Sequence, residues 1–238
     1  MFDQFSRQIR EEALLAYPEE GVWVITGSGC RQVRNVAADP HNYFEIAPAE
    51  VAKALAETLL AVVHSHPNGH PVPSEGDMLG QMGAAVPWGV LSTDGNECSD
   101  ICWWGDQVER APLVGRPFRH GVTDCYALIR DYYWMEKGIR LLEFPRSWEW
   151  WKAGGELFTE GFSKAGFARI DQSEARPGDV WLAQLKSPVP NHGGILVEGD
   201  LALHQAGSLR PYDPHKLSIR EPVARYLPMI THWLRYVG

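Results

Sequence analysis

The chain has 238 residues, of which 45% are hydrophobic and 22% are charged. This is the composition of an ordinary globular protein, so it excludes a disordered tail, a fibre and a small disulfide-stapled protein. The charge is uneven: residues 1–110 carry 6 Lys and Arg against 16 Asp and Glu, whereas residues 111–238 carry 16 against 14. A change of this size in mid-chain predicts two domains, and neither half has the basic run that would bind nucleic acid.

The four cysteines are too few for a disulfide framework in a chain of this length, and we expect half-buried thiols. Cys98 and Cys102 alone supply too few ligands for a zinc site. The first twenty residues hold acidic side chains where a secretory signal would need an apolar core. No apolar run approaches the roughly 20 residues that span a bilayer. The sequence therefore predicts synthesis and folding in a cytoplasm, with no membrane span.

The first half is predicted to contain two helices and two strands. The helices span residues 5–17 and 48–60, because their apolar residues recur at helical spacing. The strands span residues 21–27 and 60–67, and histidines lie at the end of the second one.

In the second half, breaker residues predict a linker from Trp103 to Gly121. A helix follows from Cys125 to Met135, since its apolar residues form one stripe. After Pro177 come three short strands, DVWLA, GILVE and LALHQ, separated by turn residues. Both halves are therefore predicted to be α+β.

Two histidines, His64 and His66, stand two residues apart on the predicted strand, so their imidazoles face the same side. Ten residues separate His66 from Asp77, enough for a loop to return a carboxylate as a third ligand. Two His, one carboxylate and one water make the open tetrahedral site of a catalytic zinc. Taken singly, Ser74-x-x-Asp77 favours a capping box at the start of a helix and the two histidines favour a polar loop, but the combined spacing favours the metal.

These residues resemble the signature of the JAMM (MPN-type) metalloproteases, which has a Glu, then His-x-His-Pro, then a Ser and an Asp. The similarity covers about residues 10–100 and implies an α/β sandwich domain over residues 1–108. It also implies that Ser74 steadies the oxyanion. Glu20 matches the base that activates water, with Glu19 as the neighbouring alternative. The Zn²⁺ ligands that the resemblance implies are His64, His66 and Asp77.

A second group of candidate residues begins with Cys125, which opens a predicted helix directly after Asp124. The helix dipole favours a thiolate at this position, and Asp124 can cap the free N–H groups. His192 and His204 lie on two runs that turn about Gly199, so they are predicted to be diagonal neighbours, about 7–8 Å apart. This arrangement suits a base and a partner that orients it. The alternative is an ordinary cysteine and two unrelated histidines, because nine histidines make chance pairs easy.

The order of motifs in this half resembles that of the NlpC-type cell-wall cysteine peptidases, over about residues 113–238. The motifs are Asp-Cys at the start of a helix, RPGDV at 176–180, HGGI at 192–195 and then His204. The resemblance implies a papain-like α+β domain in which Cys125 is the nucleophile, His192 the base and His204 the residue that orients the base. The substrate it implies is the peptide stem of peptidoglycan.

One position departs from that family. Its members usually carry a Tyr in a Tyr-x-x-Gly segment before the cysteine, where this chain has Phe118-Arg119-His120-Gly121. A hydroxyl near the oxyanion is therefore missing or supplied otherwise, which implies lower turnover.

The succession of the two domains resembles a family of tail assembly proteins from lambda-like phages and prophages. This resemblance implies two hydrolase activities in tail-tip assembly, with peptidoglycan stems and tail-tip proteins as partners. It places the protein in the host cytoplasm during assembly and then at the virion tail tip. The alternative is an assembly factor in which one or both peptidase folds are binding modules.

Overall fold

The chain passes from one structural unit to another near the point where its charge changes. The structure is a computed structural model that describes residues 1–238, and its two units are Met1–Glu109 and Arg110–Gly238. Each unit has its own sheet and its own apolar core. None of the helices combines the length and the apolar character that a bilayer span needs. The fold is α+β in two domains, as the sequence predicts.

The first unit contains three helices and five strands. The helices are α1 (Asp3–Ala16), α2 (Pro48–Ala56) and α3 (Glu75–Ala84). The strands are β1 (Val22–Thr26), β2 (Gly29–Val33), β3 (Leu59–Pro67), β4 (Trp88–Thr93) and β5 (Cys102–Trp104). They form one sheet in the order β2-β1-β3-β4-β5, in which only β3 and β4 run parallel, with α3 in the connection between them.

The strand β1 is buried along its whole length, which explains its nearly unbroken apolar sequence. Its Trp23 and Ile25 pack with Ile9 and Ala13 of α1 in the core of this unit. Pairing of β1 with β3 brings Val22 opposite His64. The histidines thus lie at the carboxyl end of β3 beside the parallel strand β4, an end of the sheet where ligands commonly bind.

The second unit is built on a seven-stranded antiparallel sheet. Its strands are β6 (Pro117–Arg119), β7 (Phe167–Ile170), β8 (Val180–Ala183), β9 (His192–Val197), β10 (Leu201–Gln205), β11 (Tyr212–Pro222) and β12 (Ile230–Tyr236). The sheet order is β6-β11-β10-β9-β8-β12-β7. The helices are α4 (Cys125–Lys137) and α5 (Leu157–Gly161), with 3₁₀ turns at Trp150–Ala153, Gln172–Glu174 and Val223–Arg225.

The helix α4 begins at Cys125 because Asp124 caps it, and its carboxylate accepts the N–H of Ala127 at 2.9 Å. It ends at Gly138, which has the left-handed conformation (φ 69°) that suits a glycine after a helix. The buried face of α4 packs on β9 and β10. The start of this helix therefore lies over the strands that carry His192 and His204.

Two predicted boundaries were wrong. The linker predicted from Trp103 to Gly121 contains the end of β5 and all of β6, because a proline can stand at the first residue of an edge strand such as β6. The predicted helix 48–60 ends at Ala56, since Thr58 adopts a left-handed backbone conformation (φ 63°) and β3 begins at Leu59. Several further elements were not predicted from the sequence: β2, α3, β4, β5, α5, β7, β11 and β12.

Candidate active sites

Three side chains converge in the first unit at the end of β3. The Nε2 atoms of His64 and His66 are 3.0 Å apart, and Oδ2 of Asp77 lies 3.3 and 3.4 Å from them. His64 and Asp77 are buried and His66 is half-buried. We call these three side chains the HHD group. It joins the end of β3 to the first turn of α3 across the loop between them.

The HHD group presents lone pairs inward. Nδ1 of His66 is 3.0 Å from the carbonyl oxygen of His70, which can only accept, so Nδ1 carries the proton and Nε2 has a free lone pair. Oδ2 of Asp77 accepts the backbone N–H and the hydroxyl of Ser74, each at 2.8 Å. Against the ring of His64 packs Phe44, with 4.7 Å between centroids. These contacts with His70, Ser74 and Phe44 therefore fix the orientation of the three candidate ligand side chains.

This arrangement fits a tetrahedral metal ion. With ligand distances of about 2.0–2.1 Å, the edges of such a tetrahedron are roughly 3.3–3.4 Å long. The three separations within the HHD group are 3.0, 3.3 and 3.4 Å. Two imidazoles and one carboxylate leave a fourth position open. The donor set and its spacing thus match an open site for a transition-metal ion.

Charge in the HHD group is concentrated on Asp77. Burial alone would raise the pKa of Asp77, but His64 and His66 outweigh it and lower that pKa. Burial lowers the pKa of His64, whereas for His66 the Asp77 carboxylate outweighs burial and raises the pKa. The group is thus a buried carboxylate between two imidazoles, which is an environment that attracts a cation.

The two adjacent glutamates before β1 occupy different environments. Glu20 is buried, and its Oε1 lies 3.9 Å from Nε2 of His66. Burial raises the pKa of Glu20 to about 7, and Asp77 contributes in the same direction. Glu19 is exposed. Both line a cavity of about 660 Å³, but only Glu20 is in contact with the HHD group.

Ser74 has the capping role that a Ser-x-x-Asp pattern indicates by itself. It is the N-cap of α3, its hydroxyl oxygen accepts the N–H of Asp77 at 3.1 Å, and the Asp77 carboxylate accepts the N–H of Ser74. The same carboxylate belongs to the HHD group. In this chain the capping box and the candidate metal site are therefore one structure, and the hydroxyl of Ser74 is directed at Asp77.

In the second unit, Cys125 and His192 line one cleft of about 520 Å³. The backbone N–H groups of Gly193 and Tyr126 are hydrogen-bonded to the Cys125 sulfur. Nε2 of His192 lies 3.1 Å from Nδ1 of His204. Gly194 pairs with His204 across β9 and β10, so His192 is the diagonal neighbour of His204. The structure thus brings together all three residues that the sequence predicts here.

The sequence reasoning missed the groups behind His204. Nε2 of His204 is 3.0 Å from Oε1 of Glu221, and the hydroxyl of Tyr226 donates to the same oxygen at 2.7 Å. Arg225 forms an ion pair with the other oxygen of Glu221. No local motif marks Glu221, and only the pairing of β10 with β11 reveals it, by placing Glu221 opposite Ala202, two residues from His204.

Burial keeps the Cys125–His192 pair neutral. It raises the pKa of the Cys125 thiol to about 12, and the neighbouring Asp124 carboxylate adds to the effect. Burial and His204 lower the pKa of His192 to about 3. Burial and Asp124 therefore act against the helix start, which the sequence predicts to favour a thiolate at this position.

Asp124, the residue before the candidate nucleophile, is buried in an ion pair. The guanidinium of Arg146 donates to both of its oxygens, at distances of 2.8–3.0 Å. Burial alone would raise the pKa of Asp124, but Arg146 outweighs it and lowers the pKa to about 2. Nε2 of His120 is hydrogen-bonded to the carbonyl oxygen of Arg146. Because a carbonyl oxygen can only accept, Nε2 of His120 is the donor. These contacts fix the start of α4.

Aromatic and basic side chains form much of the cleft wall. Three half-buried tryptophans line it: Trp148, Trp150 and Trp151. Phe118, at the position where the similar peptidases carry Tyr, is buried and packs edge-on against Trp148, with ring centroids 6.0 Å apart. Three exposed cations also line the cleft: Lys186, Arg210 and Lys216.

Comparison with known families defines the class of each unit. Residues 3–105 match the family described as prokaryotic homologs of the JAB domain, and residues 115–224 match the NlpC/P60 family. The chain is thus a two-domain protein with a JAB-type domain followed by an NlpC/P60 domain.

Full-length relatives narrow the class further. The tail tip assembly protein K of Escherichia phage lambda is 38% identical over 163 residues, which cover 68% of this chain and 74% of that protein. The tail tip assembly protein K of Escherichia phage N15 is 30% identical over 203 residues, 82% of each chain. The chain belongs to this family of tail tip assembly K proteins. A solved NlpC/P60 family protein from Bacillus cereus aligns with 96% of this chain and 67% of its own at 14% identity, with a TM-score of 0.36.

Proposed function

We propose that the protein acts in phage tail-tip assembly and carries two hydrolase activities, a zinc-dependent peptidase or isopeptidase and a thiol-dependent endopeptidase of peptidoglycan stem peptides. The observation that carries the proposal is that Cys125 and His192 line one cleft at the start of α4, with His204 in contact with His192 behind it. A scaffold has no physical need for this arrangement. Membership of the K family supports the tail-tip role.

In the second unit, Cys125 attacks the carbonyl carbon of the scissile peptide bond while His192 takes the thiol proton. The bond to the leaving amine breaks as His192 returns the proton to that amine, which leaves a thioester on Cys125. Water then attacks the thioester carbon with His192 again as the base, the C–S bond breaks, His192 returns the proton to the Cys125 sulfur, and the acid product leaves. His204 holds the ring of His192 throughout.

The cleft supports an anionic peptide as the substrate. Lys186, Arg210 and Lys216 line it, and each can attract a carboxylate of a stem peptide. Trp148 offers an aromatic surface at the same cleft.

In the first unit, we assign His64, His66 and Asp77 as the residues that hold Zn²⁺. When bound, this ion supplies Lewis-acid stabilisation of the developing oxyanion and acidifies water. Glu20 is the residue placed to take a proton from the attacking water, because its carboxylate is buried at 3.9 Å from His66. Ser74 keeps Asp77 oriented through its hydroxyl. The proposed substrate is a protein, such as a component of the tail tip.

A second candidate function is a non-catalytic assembly factor. Phe118 favours it, because a family position that usually carries a hydroxyl lacks one here. The neutral resting state of Cys125 and His192 favours it as well.

Mass spectrometry of peptidoglycan fragments distinguishes the two candidates. Purified protein is incubated with peptidoglycan beside a Cys125→Ala variant and a Cys98→Ala variant as the matched control. New amino termini that appear with the wild type and Cys98→Ala, but not with Cys125→Ala, support the endopeptidase. Intact stems in all three reactions contradict it and favour the assembly factor.

A further inference from the structure

The imidazole ring of His204 is constrained on both sides by its neighbours. It is almost fully buried, with 2% of its surface exposed, and both of its ring nitrogens have partners. Nδ1 lies 3.1 Å from His192, and Nε2 lies 3.0 Å from Oε1 of Glu221. Each contact restricts where the ring can carry its proton.

The contacts define one arrangement of protons. The Glu221 carboxylate can only accept, so Nε2 of His204 carries the proton. Burial lowers the pKa of His204, so its ring is neutral and Nδ1 has a free lone pair. This lone pair accepts the Nε2 proton of His192. The remaining nitrogen of His192, Nδ1, is then unprotonated, so it is the nitrogen that can take the thiol proton of Cys125.

We propose that Glu221 is a positioning residue that fixes the tautomers of His204 and His192, so that Nδ1 of His192 is the free base for the Cys125 proton. This inference rests on the proposed roles of Cys125 and His192. It adds a fourth member to the chain of contacts, so the proposed machinery runs Cys125, His192, His204, Glu221.

Glu221 is itself fixed by its neighbours. Its Oε1 accepts the hydroxyl of Tyr226 at 2.7 Å as well as the His204 proton, and its Oε2 pairs with Arg225. With these donors in place, the carboxylate stays ionised, and hydrogen bonds from Tyr226, Arg225 and His204 lower its pKa against the effect of burial. A neutral acid at this position would offer a proton of its own and would permit the opposite tautomers.

The charge of Glu221 also supports the charged intermediate. When His192 takes the thiol proton it becomes a cation, and Glu221 raises the pKa of His192 through space. The ionisable groups that bear on this pair are Glu221 on β11 and, in the turn that follows, Arg225 and Tyr226. Of these, only Glu221 is an anion beside the two histidines.

The test uses alkylation of Cys125 by iodoacetamide in the full chain, followed by mass spectrometry of the peptide that contains Cys125. This reaction needs no substrate. It therefore reports on the chain of contacts from Cys125 to Glu221 even if the protein does not cut peptidoglycan. We compare wild type with Glu221→Gln, whose amide can face His204 with either its oxygen or its nitrogen. Glu198→Gln is the matched control, because Glu198 is exposed in the turn between β9 and β10. His192→Ala gives the unassisted rate.

A general base contributes about 10²–10⁴-fold, and a mixture of tautomers removes part of this, so we expect Glu221→Gln to slow alkylation at pH 7 about tenfold. Glu198→Gln is expected to react like the wild type. A Glu221→Gln rate within twofold of the wild type would overturn the proposal.

Imidazole ¹⁵N NMR of the wild type decides the matter if Glu221→Gln does not fold. The proposal requires the proton of His204 and that of His192 on Nε2. A spectrum with the proton of His204 on Nδ1 would overturn it. If the alkylation rates and the NMR spectrum meet these expectations but the protein does not cleave peptidoglycan, the proposed function is contradicted and the role of Glu221 stands.

Discussion

Two neighbouring glutamates of the first unit differ in burial and in their contact with the HHD group. Glu19 is exposed, whereas Glu20 is buried within 3.9 Å of His66. Sequence alone left both open, because both are acidic and both precede β1 by a few residues. The chain turns between them, and the backbone N–H of Glu20 binds the carbonyl oxygen of Pro40 at 2.7 Å, which directs the two side chains differently.

We predict that Glu20→Gln keeps the metal but abolishes peptidase activity of the first unit. Gln has nearly the same shape, but it cannot take a proton from water, and Glu20 is not one of the three ligand side chains. Elemental analysis measures the zinc, and cleavage of a tail-tip protein measures the activity. His66→Ala is the contrasting variant and should lose the zinc, because three protein ligands are the minimum of such a site. Glu19→Gln should resemble the wild type, and an inactive Glu19→Gln beside an active Glu20→Gln would reverse the assignment.

A second prediction about single residues concerns the alkylation rate of Cys125 at acidic pH. A base works in its neutral form, which is present above its pKa and is lost as the pH falls through it. Burial lowers the pKa of His192 to about 3, so the His192-assisted alkylation rate at pH 5 should be within about twofold of that at pH 7.

The measurement is the iodoacetamide rate at Cys125 between pH 5 and pH 8, minus the rate of His192→Ala. A loss with a midpoint between pH 6 and pH 7 would show that His192 titrates like an ordinary histidine. A difference near zero at every pH would show that His192 gives no assistance.

At the scale of elements, the patterns with local spacing were predictable and the long-range pairings were not. The strand β3, the helix α4 and the turn between β9 and β10 follow from periodicity and breaker residues, and so does the approach of His192 to His204. These features depend on residues close together in the chain. Sequence motifs therefore indicated most of the residues that converge in the two candidate sites.

What sequence reasoning missed depends on registers between distant segments. Glu221 lies 17 residues after His204, and only the pairing of β10 with β11 brings them together. Arg146 reaches Asp124 from a segment without regular structure. Neither contact leaves a periodic signal, because one strand slip or one loop rearrangement would change the partner without changing the pattern.

The start of α4 gives a prediction about an element. Asp124→Asn should lower the stability of the second unit by about 3 kcal/mol or more, because it breaks the buried ion pair with Arg146. Asn still caps a helix well, so the change isolates the charge. The contribution of Asp124 is present above its ordinary pKa and is lost only as the pH falls through about 2.

Urea unfolding, followed by circular dichroism, measures this effect. Asp171→Asn is the control, since Asp171 caps the exposed 3₁₀ turn at Gln172–Glu174 and has no buried ion pair. We expect its midpoint to equal that of the wild type. Equal midpoints for Asp124→Asn and Asp171→Asn would show that the Arg146 pair adds nothing to folding.

At the scale of the whole molecule, the two units differ in the chemistry they are built for. The first unit gathers two imidazoles and a carboxylate, and has no cysteine in the HHD group. The second unit has a thiol and an imidazole in one cleft, with a second imidazole in contact with the first, and the only group that fits a metal ion lies in the first unit. Each unit also has its own core, so neither needs the other to complete a hydrophobic interior.

We therefore predict that the two activities respond to different inhibitors in the full chain. A chelator should abolish cleavage of the protein substrate by the first unit and leave the release of peptides from peptidoglycan unchanged, because the group of side chains that could hold a metal ion lies in the first unit and does not include Cys125. Iodoacetamide should have the opposite pattern, with loss of peptide release in proportion to alkylation of Cys125. Cys98→Ala, treated with the same reagent, controls for modification elsewhere in the chain. Peptide release is measured by mass spectrometry of the soluble fragments after each treatment. If the chelator abolished peptide release and added zinc restored it, wall cleavage would belong to the HHD group, and the two substrates proposed here would have to be exchanged between the units.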